Sequence, residues 1–130
     1  MKKLIIPLML CVATIGTAYA EWKKVTYSDS AEFYLDPATI RTNGQYKEAW
    51  IMANFKVAQK TADGKPYLSQ KTKSRFDCVG DKTNGLAIVF YSENMGGGEV
   101  VWSKSFNDND WNHNVPESVG AATARAVCGK

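Results

Sequence analysis

Tyr46-Lys-Glu-Ala-Trp-Ile-Met-Ala-Asn-Phe-Lys-Val57 is the stretch whose reading decides the fold. Ala49, Ile51, Ala53, Phe55 and Val57 recur at every second position, and Tyr46, Glu48, Trp50, Met52, Asn54 and Lys56 fill the places between them. Successive side chains of a strand point to opposite faces, so this alternation predicts one long strand with a single buried face. Asp63-Gly64 then supplies a hairpin turn. Tyr67 to Cys78 runs back beside the first strand, with Gln70, Thr72, Ser74 and Phe76 on one face and Lys71, Lys73 and Arg75 on the other.

Working outward, Val25 with Tyr27 and Phe33 with Leu35 alternate with polar neighbours and read as two short strands. On the other side, Asn84-Gly85 reads as a second turn, leading into Leu86 to Tyr91. The near-continuous apolar character of that run places it in the middle of the sheet, covered on both faces. Gly96, Gly97 and Gly98 turn the chain into a further strand, Val100 to Phe106, which carries Trp102. Residues 107–114, Asn-Asp-Asn-Asp-Trp-Asn-His-Asn, are too polar for regular structure and read as an irregular loop around Trp111. Pro116 fits the first position of a helix, and Glu117 favours its positive end. Val119, Ala122, Ala126 and Val127 form a stripe at helical spacing, which Gly129 terminates. The expected fold is therefore α+β, a small antiparallel meander of five to six strands with a C-terminal helix packed on it.

Residues 1–20 spell a secretory signal peptide: Lys2 and Lys3, an apolar run from Leu4 to Ile15, and Ala18-Tyr19-Ala20 before the cleavage point. The run is shorter than a bilayer span, so no membrane anchor is expected. A lipoprotein signal needs a small residue just before its cysteine, whereas Leu10 precedes Cys11. The chain then reads as periplasmic, with secretion or surface display as alternatives. Residues 21–130 form a single domain, too short for two cores. Once Lys2 and Lys3 leave, fourteen basic residues face thirteen acidic ones, a net charge of +1 that gives no reason to invoke nucleic acid. Of the three cysteines two remain, Cys78 and Cys128, 50 residues apart. In an oxidising compartment such a pair reads as one disulfide tying the helix to the sheet.

The inventory for catalysis is thin. His113 is the sole histidine and no G-x-S-x-G accompanies it, so no hydrolase site is expected and no cofactor is implied. Asp108 and Asp110 offer oxygen ligands, but the loop lacks the glycine and terminal glutamate of an EF-hand, so no metal site is expected. Lys71, Lys73 and Arg75, with Lys56, Lys60 and Lys65 nearby, form a candidate basic stripe for a protein or anionic glycan, against the plainer reading of a solvated face. Trp22, Trp50, Trp102 and Trp111 serve either packing or contact.

Taken in order, Trp22-x-x-Val25, Phe33-Tyr34-Leu35-Asp36-Pro37-x-Thr39-Ile40-Arg41, Trp50, Ser69-x-Lys71, Phe76-Asp77-Cys78, Tyr91-Ser92, Trp111, Val115-Pro116-x-Ser118 and Cys128 resemble the surface-adhesin protein E family of Gram-negative bacteria. The resemblance implies an antiparallel sheet with a disulfide-tethered helix, non-enzymatic binding of host extracellular-matrix or serum proteins, and a homodimer. The founding adhesin is a surface lipoprotein, and the Leu10-Cys11 pair departs from that pattern. The alternative is a soluble periplasmic accessory or structural protein with no host ligand. Asp36-Pro37-x-Thr39-Ile40 also has a local reading, with Asp36 capping a turn, Pro37 fixing its first position and Ile40 entering the core.

Overall fold

The computed structural model describes Pro7, residues 21–107 and residues 109–130; the rest of the expected signal peptide, Cys11 included, and Asp108 lie outside the described residues. Among the described residues, eight antiparallel strands form one sheet: β1 (Lys23–Tyr27), β2 (Ala31–Leu35), β3 (Arg41–Asn43), β4 (Tyr46–Lys60), β5 (Pro66–Asp77), β6 (Lys82–Tyr91), β7 (Val100–Ser105) and β8 (Asn112–His113). The helix α1 (Val119–Cys128) closes the chain. The main path is β1-β2-β4-β5-β6-β7, with β3 on β4 and β8 on β6. The meander and its helix agree with expectation, and β3 and β8 exceed the expected five to six strands.

The long strands carry the architecture. One edge of β4 pairs with β3 near Tyr46 and with β2 from Ile51 to Phe55. Between β2 and β3, Asp36 accepts the Ala38 N–H (3.1 Å) and caps a 3-10 turn over Pro37–Thr39. Thr39 Oγ1 then accepts the Trp50 N–H (3.1 Å), fastening the turn to β4. Ile40 follows and packs against the core, as the capped Asp-Pro turn predicts.

That core lies on one face of the sheet, where Leu35, Ala49 and Phe76 meet Ala124 and Val127 of α1. The helix buries only small side chains, and the Cys78–Cys128 disulfide spans 5.7 Å between Cα atoms at its last turn. Gly129, with φ +74°, takes the left-handed conformation that ends the helix.

Five expectations are corrected. Val57, expected on the buried face of the long strand, is exposed, because β2 pairs with β4 only as far as Phe55 and the β4–β5 register shifts between Asn54 and Gln59. Asn84-Gly85 is no turn but lies inside β6; Ser74 pairs with Gly85 and Lys73 with Ala87, so Leu86 is the extra residue of a bulge. The turn falls at residues 78–81, where Asp77 accepts N–H bonds from Val79 (3.1 Å) and Gly80 (2.8 Å). Leu86 to Tyr91 is half-buried and one strand from the β7 edge; β4 and β5 hold the centre. The 107–114 loop is interrupted by β8, pinned where Thr83 Oγ1 donates to Asn114 Oδ1 (2.7 Å) and Asn114 Nδ2 to Asp81 (2.9 Å). Finally, α1 begins at Val119, capped by Ser118, whose hydroxyl accepts the Ala121 N–H (3.0 Å). Pro116 precedes it, and Glu117 at φ +64° turns the chain away from helical geometry.

Candidate functional site

The face opposite α1 holds the predicted basic stripe, and register dictates its neighbours. Trp50 sits across from Lys73, Met52 from Lys71 and Glu48 from Arg75. On the other edge of β4, Arg41 sits across from Glu48. One carboxylate thus lies on a rung between two guanidinium residues. Arg75 donates both Nε (3.0 Å) and Nη2 (2.7 Å) to Glu48 Oε1, while Lys73 Nζ stands 3.8 Å from Oε2. Arg41 turns its Nη1 to the carbonyls of Ala38 (2.9 Å) and Ile40 (3.1 Å), which orients its guanidinium.

Lys71 has a different environment. Its Nζ lies 5.5 Å from the Trp22 ring centre and 4.8 Å from that of Tyr91, within cation–π range of both. Above it, the 3-10 turn Asn94–Gly96 folds back over the outer face. Asn54 Oδ1 accepts from Asn94 Nδ2 and the Met95 N–H, both at 2.9 Å, and Ser69 Oγ accepts the Gly96 N–H (2.8 Å) while donating to Glu93 O (2.6 Å). Met52 is 0 % exposed beneath this cover, although the alternation places it on the outward face. Gly96 sits at φ +71°, and a Cβ there would come within 2.6 Å of Lys71 Cε. The stripe is therefore divided: Lys73 and Arg75 belong with Glu48, and Lys71 with a small aromatic layer.

Beside Arg75 opens a cleft of about 470 Å³, lined by Arg41, Asn43, Tyr46, Glu48, Arg75, Asn109 and Trp111. The Tyr46 and Trp111 rings stand 5.8 Å apart, tilted by 36°. Trp111 is brought there by β8 and Asn114, so the polar loop read from sequence is a strap that carries one wall. Gly44, at φ +61°, closes the β3–β4 hairpin that supplies the opposite wall. Of the lining residues, the sequence marks Arg75 and Trp111 as candidate contacts, whereas Arg41, Asn43, Tyr46 and Glu48 join the cleft only through the β3–β4 hairpin, for which Asn43-Gly44 is the available signal. In the turn of that hairpin, Gln45 Nε2 donates to Asp77 (2.9 Å). The Gly80 N–H, with Gln45 and the Val79 N–H after it, holds the Asp77 carboxyl below the usual carboxylate range.

Elsewhere, an aromatic series crosses four strands: Phe55 to Tyr67 at 5.8 Å, Tyr67 stacked on Phe90 at 4.1 Å, and Phe90 to Trp102 at 5.0 Å. It ends in a groove bounded by Lys60, Thr61, Ala62 and Asp63. His113 lies exposed in β8, and Asp110 lines a separate shallow hollow with Asn84 and Phe106. Among the described residues no group of three or more His, Cys, Asp and Glu is placed to hold a metal ion, and no helix is long and apolar enough to cross a membrane.

The sequence matches the family described as surface-adhesin protein E over residues 22–129. Among solved structures it is similar to Haemophilus influenzae protein E, with a TM-score of 0.63 at 13% identity, covering 87% of each chain. Crystal form II of the same protein gives a TM-score of 0.59 at 13% identity, covering 86% of this chain and 97% of that one. At such identity the likeness speaks for the fold. No curated protein matches the sequence.

Proposed function

Because the chain belongs to the surface-adhesin protein E family, we propose that it is an exported, non-enzymatic binding module whose outer sheet face grips a host extracellular-matrix or serum protein. The observation that carries the reading is the Arg41–Glu48–Arg75 rung with the Tyr46–Trp111 wall beside it. Arginine and large aromatic side chains are the types that dominate protein interfaces, and here they share one concave, part-exposed surface that α1 leaves open. Export rests on residues 1–20 and the disulfide of an oxidising compartment. Processing is checked by intact mass, which should begin at Glu21 and lack two hydrogens.

Binding is tested with the processed chain against immobilised matrix and serum proteins, comparing wild type with an Arg41→Gln, Lys71→Gln, Lys73→Gln triple variant of verified circular dichroism, which leaves the Arg75–Glu48 pair in place. Added salt and the triple variant should both weaken binding, since exposed charges are screened over about 8 Å at physiological ionic strength. Binding indifferent to both would remove the stripe from the reading. The second reading, a soluble periplasmic accessory protein, is favoured by Leu10 before Cys11, which departs from the small residue that a lipid-attachment signal places there. Fractionation separates the two: protein confined to the periplasm favours the accessory role, and protein on intact cells the adhesin.

A further inference from the structure

We infer that the Arg41–Arg75–Tyr46–Trp111 cleft is a subsite for a carboxylate-bearing sugar, an acidic unit of a glycan carried by the partner. The inference rests on the reading that this face binds a macromolecule, and it names what the cleft itself would take.

Four features point the same way. The cleft's volume of about 470 Å³ falls within the range of small-molecule sites and is large enough for a sugar ring. Its lining carries two arginines against one glutamate, and Lys73 adds a further cation on the far side of that glutamate, so the local field favours an anion. The arginines are oriented in advance: Arg41 by two backbone carbonyls, Arg75 by Glu48. Neither guanidinium spends all its donors on these contacts, and a planar fork suits a carboxylate. Tyr46 and Trp111 supply ring faces whose negative quadrupole attracts the polarised C–H bonds on one face of a pyranose, while the Asn43 and Asn109 amides can donate to and accept from hydroxyls. A peptide carboxylate would use the arginines and leave the rings and amides without a role. A neutral sugar would use the rings and amides and leave the excess positive charge of the cleft uncompensated. An acidic sugar uses both.

The test titrates the processed chain with sialyllactose, a heparan-type disaccharide, lactose and acetate, read by ligand-observed NMR. At least one of the acidic sugars should bind, with lactose and acetate weaker by about tenfold or more, the loss expected for a missing charge-assisted hydrogen-bond pair or missing stacking. Arg41→Gln and Trp111→Ala should each weaken the acidic sugar by about tenfold. Trp102→Ala, in the separate aromatic series, should not change it. Arg75 is left intact because its removal strands Glu48. Failure of both acidic sugars to bind, lactose binding equally well, acetate competing equally well, or indifference to both cleft variants would each overturn the inference. Protein partners bound equally before and after enzymatic deglycosylation would overturn it while leaving the proposed function standing. Sugar binding without any protein partner would do the reverse.

Discussion

Replacing both bridge cysteines, Cys78→Ser with Cys128→Ser, should cost this domain a large share of its stability. The bond joins residues 50 apart. In the loop-entropy account, opening a ring of that size returns about 4 kcal/mol of conformational freedom to the unfolded chain. Small domains have only about 5–15 kcal/mol in total. Nothing else in the helix compensates, because α1 buries only Thr123, Ala124 and Val127, and side chains that small remove little apolar surface from water. At about 4–8 °C per kcal/mol for a domain near this size, the melting midpoint should fall by roughly 15–30 °C. Far-UV circular dichroism and tryptophan fluorescence should part company in the variant. The helix signal should fall first, while the Met52, Trp22 and Lys71 layer on the other face persists with the sheet. A midpoint within about 5 °C of wild type would refute the reasoning, since the helix would then be held by packing that the buried side chains do not provide.

Met52→Ala should destabilise by about 2–5 kcal/mol in urea unfolding, as truncation at a fully buried site does; a change near zero would mean that Asn94–Gly96 does not cover it in solution. Asp77 should make stability acid-sensitive: its folded pKa is depressed, first by the Gly80 N–H, so its contribution is complete above the unfolded value near about 4 and fades as pH falls through the depressed one. The urea-midpoint gap between wild type and Asp77→Asn should therefore narrow from neutral pH to below about 4, and a constant gap would contradict this linkage. Ser118→Ala should cost about 1 kcal/mol through loss of the cap, whereas Pro116→Ala should change little; the opposite ranking by thermal melting would place the helix start at Pro116.

Which of these effects were legible in the chain follows from the range of the interactions involved. Period-two alternation is local, so β4, β5 and the face carrying Lys71, Lys73 and Arg75 could be read directly, as could the Asp36 cap and the Cys78–Cys128 pair. Burial of Met52 could not. It depends on a turn more than forty residues away, held by Asn54 and Ser69, and alternation says which side a residue faces without saying what lies over that side. Asn84-Gly85 misled for a related reason: Asn-Gly favours a turn only where the flanking strands pair with each other, and here both residues lie within β6 and pair with Arg75 and Ser74 of β5, next to the bulge at Leu86. The Arg41–Glu48–Arg75 rung was hidden in register. Each member is an ordinary exposed charge in sequence, and only the Gly44 hairpin and the β4–β5 pairing bring the three abreast. A slip of one residue in either pairing would turn a whole strand over and scatter the cleft across both faces. Gly44 and Asp77 touch no proposed ligand yet help set that register: Gly44 takes the left-handed conformation of the β3–β4 turn, and the same Asp77 carboxylate that organises the β5–β6 turn also holds Gln45 in the turn of the hairpin carrying Arg41.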